Sequence, residues 1–186
     1  MYKNYIILDI LKKEYGTLSK LRKCDAYEIG CYTGIASRFF CNFLKTYIAT
    51  DINKIRITEA QKLTHSLYEN LTFIVDDIVE SKITNKFNII IASNVIHFTG
   101  KKINIAFDNM TKCLKKNGII IISEPIIKSD GWMDETLNKK SDKFDKSIWN
   151  RKKKELEDEH NYIINLPNIT YNEYESCRVY IVRKII

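Results

Sequence analysis

The sequence predicts an α/β chain built on a doubly wound, mostly parallel sheet with helices on both faces. Three observations lead there. Five short apolar runs alternate with segments whose apolar residues recur at helical spacing. One run, Ile119 to Ile122, is aliphatic throughout, as suits a strand buried on both faces. Each run also ends in polar residues, and the carboxyl ends of such strands are where sheets of this kind bind ligands.

At 186 residues and 45% hydrophobic content, the chain suits one domain with a full core. Residues Tyr2 to Tyr15 place Tyr2, Ile6, Ile7, Ile10 and Leu11 on one helical stripe, which Gly16-Thr17 breaks before a short turn around Leu18 to Leu21. A first strand from Ala26 to Ile29 then enters Tyr27-Glu28-Ile29-Gly30-Cys31-Tyr32-Thr33-Gly34 and a helix running to Leu44. Glycines four apart let the backbone pass close to a bound molecule. The dinucleotide fingerprint needs glycine where Tyr32 and Ile35 stand, and the Gly-Lys-Ser/Thr of a P-loop is absent, so neither nucleotide pattern is met.

The second run, Thr46 to Thr50, ends at Asp51, about 20 residues beyond the glycine turn, where a carboxylate can accept both hydroxyls of an adenosine ribose. Asn53 is available to cap the next helix, marked by Ile57, Ala60, Leu63 and Leu67, and this frees Asp51 for a ligand. The third run, Leu71 to Val75, ends at Asp76-Asp77-Ile78. Neighbours on a strand point opposite ways, so one of the two carboxylates is expected to face the ligand. The fourth, Phe87 to Ala92, leads into Ser93-Asn94-Val95-Ile96-His97-Phe98 and a helix with Ile103, Phe107, Met110 and Leu114. The turn Lys115-Lys116-Asn117-Gly118 is expected to end that helix before the fifth strand reaches Ser123-Glu124-Pro125. Beyond it, Lys128 to Lys146 reads as a loop over the site, Lys146 to Glu159 as a helix, and Tyr162 to Ile169 and Ser176 to Ile185 as two extended segments.

The net charge of +7 concentrates toward Met1 to Lys23, while the run Arg151 to Lys154 is answered by Glu155, Glu157, Asp158 and Glu159 at helical spacing, as on a solvated helix face. A nucleic-acid partner is therefore possible but not favoured. Five cysteines with no C-x-x-C pair and no signal peptide point to reduced thiols and a cytoplasmic protein. His65, His97 and His160 are scattered, so no metal site is expected, and no apolar run is long enough to cross a bilayer.

From Ala26 to Pro125 the order and spacing of these pieces resemble the class I S-adenosylmethionine (SAM)-dependent methyltransferases. Glu28, Gly30 and Gly34 match the family's first motif, with Tyr32 where the middle glycine usually stands. The segments around Asp51, around Asp76-Asp77-Ile78, and from Leu114 through Gly118 to Ile122 are similar to its later motifs. The resemblance implies SAM as cofactor, S-adenosylhomocysteine as product, and a seven-stranded sheet closed by an antiparallel C-terminal strand pair. It implies a helical cap over residues 1–24, a SAM-binding core over 25–125, and a substrate loop, helix and closing pair over 126–186 of a single domain. Glu28 would sit near the methionyl ammonium, Gly30 and Gly34 would give backbone room, and Asp51 would hold the ribose. Asp77 with the Ile78 amide would read adenine, and Ile52 would pack on its face. Asn94 and His97 stand where catalytic residues occur, with His97 a candidate base for an alcohol acceptor. Trp132, Met133 and Trp149 fall where substrate loops lie. The Asn/Asp-Pro-Pro-aromatic motif of the DNA and protein amino-methylating enzymes is missing at the fourth strand end, as is the Asp needed by the ribose methyltransferases of RNA, so a small-molecule acceptor is favoured by elimination. An RNA or protein methyltransferase stays open, as does a non-catalytic methyltransferase-like binding or scaffold subunit, to which Tyr32 lends weight. Oligomeric state is not legible.

Overall fold

The computed structural model describes residues 2–64, 67–84, 86–126, 146–174 and 177–184. Helices α1 (Tyr2–Tyr15) and α2 (Leu18–Leu21) precede β1 (Asp25–Ile29), α3 (Ile35–Phe40), β2 (Thr46–Asp51), α4 (Lys54–Thr64) and β3 (Leu71–Val75). After these come β4 (Phe87–Ser93), α5 (Ile103–Cys113), β5 (Leu114–Pro125), α6 (Lys146–Ile164), β6 (Ile169–Glu173) and β7 (Cys177–Arg183). The seven strands form one sheet in the order β3-β2-β1-β4-β5-β7-β6. The first five are parallel, and β7 and β6 close the edge antiparallel. This is the doubly wound fold that the alternating pattern predicts.

The two-residue period of the strands sorts the apolar residues into two cores. Ala26, Ala49, Ile89, Ile91 and Ile121 face α1, α3 and α4, while Tyr27, Ile29, Ile90, Ala92 and Ile122 face α5 and α6. Both faces of the central strands are thus dry, which is why they read as unbroken aliphatic runs. Among the described residues no helix is long and apolar enough to cross a membrane.

Three expectations change. No free turn separates α5 from β5. Leu114 already pairs with Phe87 and Ile119 with Ile89, so Lys115 to Gly118 loop out opposite Asn88 alone, with Asn117 at a φ of 58°. The bulge is fixed by Lys115 Nζ, which donates to Asp25 Oδ2 at 2.6 Å and to Asn88 Oδ1 at 3.2 Å. The helix α4 ends at Thr64 and buries Ile57, Ala60 and Thr64, leaving Leu63 and Leu67 exposed. At the C-terminal end, Tyr162 to Ile164 remain helical, and β6 covers Ile169 to Glu173, most of which reads as a linker in the sequence. Its exposed side chains give an edge strand little apolar signal. Trp132 and Met133, with most of the expected substrate loop, lie outside the described residues, as does the side chain of Trp149.

Candidate active site

A cavity of about 780 Å³ opens at the carboxyl ends of the strands. Of the residues singled out in the sequence, Gly30, Asp51, Ile52, Asp77, Ile78 and Asn94 line it, whereas Glu28, Gly34 and His97 do not. The parallel register explains the gathering, because β1, β2 and β4 end side by side.

Glu28 is buried in β1, where Ser37 Oγ of α3 donates to its Oε2 at 2.5 Å. Burial, reinforced by repulsion from Asp51, outweighs that hydrogen bond and pushes its carboxyl up to about 7. The acidic strand end therefore ties β1 to α3 and does not line the cavity. Gly30 has a φ of 72°, and a Cβ there would lie 2.5 Å from Val95 Cγ2. Gly34 has a φ of 75°, and its Cβ would lie 2.5 Å from the Phe73 ring. Side-chain packing across the turn, in addition to backbone freedom, thus demands both glycines.

Between them Tyr32 takes a φ of 52°. Its N–H donates to Asp51 Oδ2 at 2.9 Å, and its ring carries the Arg56 guanidinium 4.3 Å from the centroid. The other oxygen of Asp51 accepts the Asn53 N–H at 2.9 Å, while Asn53 Oδ1 caps α4 through Ile55 and Arg56. Asp51 is thus not the side-chain cap of α4, as the sequence implies, but it does hold the glycine turn.

Both Asp76 and Asp77 line the cavity. Strand alternation does not separate them, because β3 ends at Val75 and the chain turns: Tyr27 donates its hydroxyl to Asp76 Oδ2 at 3.1 Å, and Asp77 Oδ1 accepts the Val79 N–H at 2.9 Å. Ile52, Tyr32 and Phe98 expose apolar surface at the cavity, Phe98 at 76%. Asn94, at a φ of 55°, accepts a hydrogen bond from Lys3 Nζ of α1 at 2.9 Å, so the N-terminal helix reaches the cavity wall.

His97 lies one layer behind. Its Nδ1 is 2.6 Å from Glu124 Oε2, and the other oxygen of Glu124 accepts the Val95 and Ile96 N–H groups at 3.1 and 2.8 Å. Its ring packs on Phe98 with centroids 4.0 Å apart. Glu159 of α6 completes the group: ligand atoms of His97, Glu124 and Glu159 lie within 4.8 Å of one another. Glu159 is 6% exposed, so it does not belong to the solvated face its charged run suggests. Burial and the nearby Glu124 push its carboxyl up to about 9. The strand-end rule could have found Glu124, which lies in the polar end Ser123-Glu124-Pro125 of β5 as Asp51 ends β2. Glu159 carried no such signal.

A model of the methyltransferase domain matches residues 27–120. No curated protein sequence matches the chain. Among solved structures, a Methanococcus maripaludis protein assigned to the SAM-dependent methyltransferases superposes with a TM-score of 0.72 at 18% identity, over 97% of this chain and 84% of that one. The CurJ carbon methyltransferase gives 0.67 at 20%, over 98% of this chain, which spans 54% of its length. The N-methyltransferase NodS from Bradyrhizobium japonicum, in complex with S-adenosylhomocysteine, gives 0.58 at 17%, over 93% and 86%. At these identities the structures speak to the fold, and the domain match speaks to the family. The chain belongs to the methyltransferase-domain family, the class I SAM-dependent methyltransferases.

Proposed function

We propose that the cavity binds SAM and that the protein methylates a small-molecule acceptor. One observation carries this reading: six of the nine residues that the family resemblance assigns to cofactor and catalysis line a single cavity, whose size falls within the roughly 300–1,000 Å³ of small-molecule sites. The residues fit the cofactor chemically. Asp51 keeps lone pairs for the ribose hydroxyls beyond the two backbone bonds it accepts. Asp77 and the Ile78 amide supply an acceptor and a donor for adenine, and exposed Ile52 supplies an apolar face. Gly30 bounds the methionyl end. Glu28, set back from the cavity, acts through its bond to Ser37 and so supports the turn.

When bound, SAM supplies a methyl group on a positively charged sulfur. The chain's own work is to align the acceptor and, for an acceptor that must lose a proton, to receive it. Asn94, held from behind by Lys3 Nζ, stands at the wall for alignment. His97 lies one layer behind that wall, so as the base it would receive the proton through an intervening group or water: Glu124, fixed by two backbone N–H groups, accepts from Nδ1 and leaves the Nε2 lone pair unprotonated. This ordered pairing supports the base role more strongly than sequence position does. The acceptor belongs at the Asn94, Phe98 and Lys102 end of the cavity, away from Asp51. The named neighbours methylate carbon and nitrogen, so the fold itself does not select the acceptor atom.

Isothermal titration with SAM and with S-adenosylhomocysteine tests the reading. Micromolar-range binding that is weakened in Asp51→Asn supports it. Absence of binding to the folded wild type would overturn it and restore the scaffold alternative.

A further inference from the structure

Glu159 presents an unsolved problem in charge and hydrogen bonding. It reaches in from α6, is 94% shielded from solvent by its 6% exposure, and neither carboxylate oxygen has a hydrogen-bond partner among the described residues. A buried carboxylate without a donor is costly, and it persists only if a proton or a cation satisfies it. Its neighbours decide which cation could do so. Glu124, with a side chain 4% exposed, and His97, at 20%, bring one carboxylate oxygen and one imidazole nitrogen to within 4.8 Å of a Glu159 oxygen and of each other. Once Glu159 gives up its proton, the two carboxylates and a neutral imidazole carry two negative charges, which a divalent ion would balance. The three ligands come from the turn after β4, from the end of β5 and from α6, so a bound ion would tie the C-terminal helix to the sheet.

The geometry points to a site for one divalent transition-metal ion, held by His97, Glu124 and Glu159. The donor set selects the class. Imidazole with carboxylates suits zinc, manganese, iron or cobalt, whereas magnesium and calcium prefer all-oxygen shells. Three protein ligands leave further positions open, as in sites where an ion also meets water. In a tetrahedral site with bonds near 2.0 Å the donors sit about 3.3 Å apart, so the cluster has to contract modestly, while the His97–Glu124 hydrogen bond opens to admit the ion.

The bond changes balance simply. The ion takes the Nδ1 lone pair, the imidazole proton resides on Nε2, and any proton on a carboxyl ligand leaves to solvent. A histidine metallated at Nδ1 with Nε2 protonated is no longer a base. The ion site does not rest on the proposed function, but one consequence does: if His97 is the base, ion binding and turnover exclude one another.

The test uses the full chain, stripped with a chelator and titrated with cobalt(II), zinc and magnesium. The expected result is one cobalt per chain by equilibrium dialysis, with visible absorption characteristic of nitrogen and oxygen ligands, and a rise in melting temperature with zinc but not with magnesium. Glu159→Gln, a neutral isostere of the protonated side chain, and His97→Ala should each weaken cobalt affinity by about tenfold or more. SAM affinity should be unchanged in Glu159→Gln. Three outcomes overturn the site: no stoichiometric binding, binding unaltered in folded Glu159→Gln, or thiolate charge-transfer bands that place the ion on the buried cysteines. Failure of SAM to bind while cobalt binds counts against the proposed function alone. Ion binding that leaves methyl transfer unaffected counts against the His97 base alone.

Discussion

Replacing Gly30 by alanine sets a Cβ 2.5 Å from Val95 Cγ2 and 2.7 Å from Val95 Cβ, on a backbone with a φ of 72°. Two separate costs follow. A non-glycine residue in the left-handed region costs about 1 kcal/mol, and overpacking against a neighbour adds about 2 kcal/mol, so Gly30→Ala should lose about 3 kcal/mol of stability. The two can be separated, because the second depends on Val95. In a double-mutant cycle with Val95→Gly, urea unfolding of the four proteins should show a favourable coupling of about 2 kcal/mol, with the backbone cost of about 1 kcal/mol left over. Val95 also lines the cavity, so the single Gly30→Ala protein should bind SAM more weakly and the double variant should recover. Additivity within about 0.5 kcal/mol would refute the argument that Val95 dictates glycine here. A larger side chain such as valine should unsettle the fold as well as the site, because Val95 meets the Cβ before any ligand does.

Other expectations are as direct. Asp51→Asn keeps an acceptor oxygen for the turn but loses the charge, and calorimetry should show SAM affinity lower by about 1.5–3 kcal/mol, roughly 10- to 150-fold; unchanged affinity in the folded variant removes Asp51 from the cofactor site. Glu28 binds its proton more tightly when folded, up to about 7 against an ordinary 4.5, so its contribution is fully present below pH 4.5 and declines as pH rises to about 7. The decline amounts to about 3 kcal/mol, and Glu28→Gln should lack it; parallel pH–stability curves for the two proteins would contradict the buried-carboxyl account. His97→Ala should reduce turnover by about 100-fold while leaving SAM affinity nearly unchanged, and near-normal turnover would leave alignment alone as the source of rate.

The parallel core was legible because burial on both faces forces aliphatic runs, and because strand ends in such sheets carry polar residues. Asp51, Asp77 and Asn94 could be found that way, since each belongs to a strand and its own loop. What failed to show was anything that depends on two distant elements. The bulge at Lys115 to Gly118 exists because Asn88 and Asp25 hold Lys115, and a local reading sees only a turn. The burial of Glu159 depends on α6 packing against the turn after β4 and against β6, and nothing in a basic run followed by an acidic one marks one carboxylate as the inward one. Edge strand β6 was expected but placed several residues too early for the opposite reason: its exposed residues are those of a loop.

Tyr32 shows how far such a substitution can be judged from neighbours. At the position usually occupied by glycine it raised the prospect of a crowded cofactor site and a chain without catalysis. The fold bears on the crowding. Its left-handed backbone is held by a 2.9 Å bond from its own N–H to Asp51, so the turn keeps its course although tyrosine bears the strain that glycine would avoid. Its ring is 54% exposed and carries Arg56 above it, which places the phenol at the rim of the cavity, where it adds apolar wall. The same carboxylate that is proposed to grip the ribose thus anchors the non-glycine residue. Loss of Asp51 would therefore loosen the turn and the cofactor together, which is why asparagine, able to keep one of those bonds, separates the two roles where alanine would merge them.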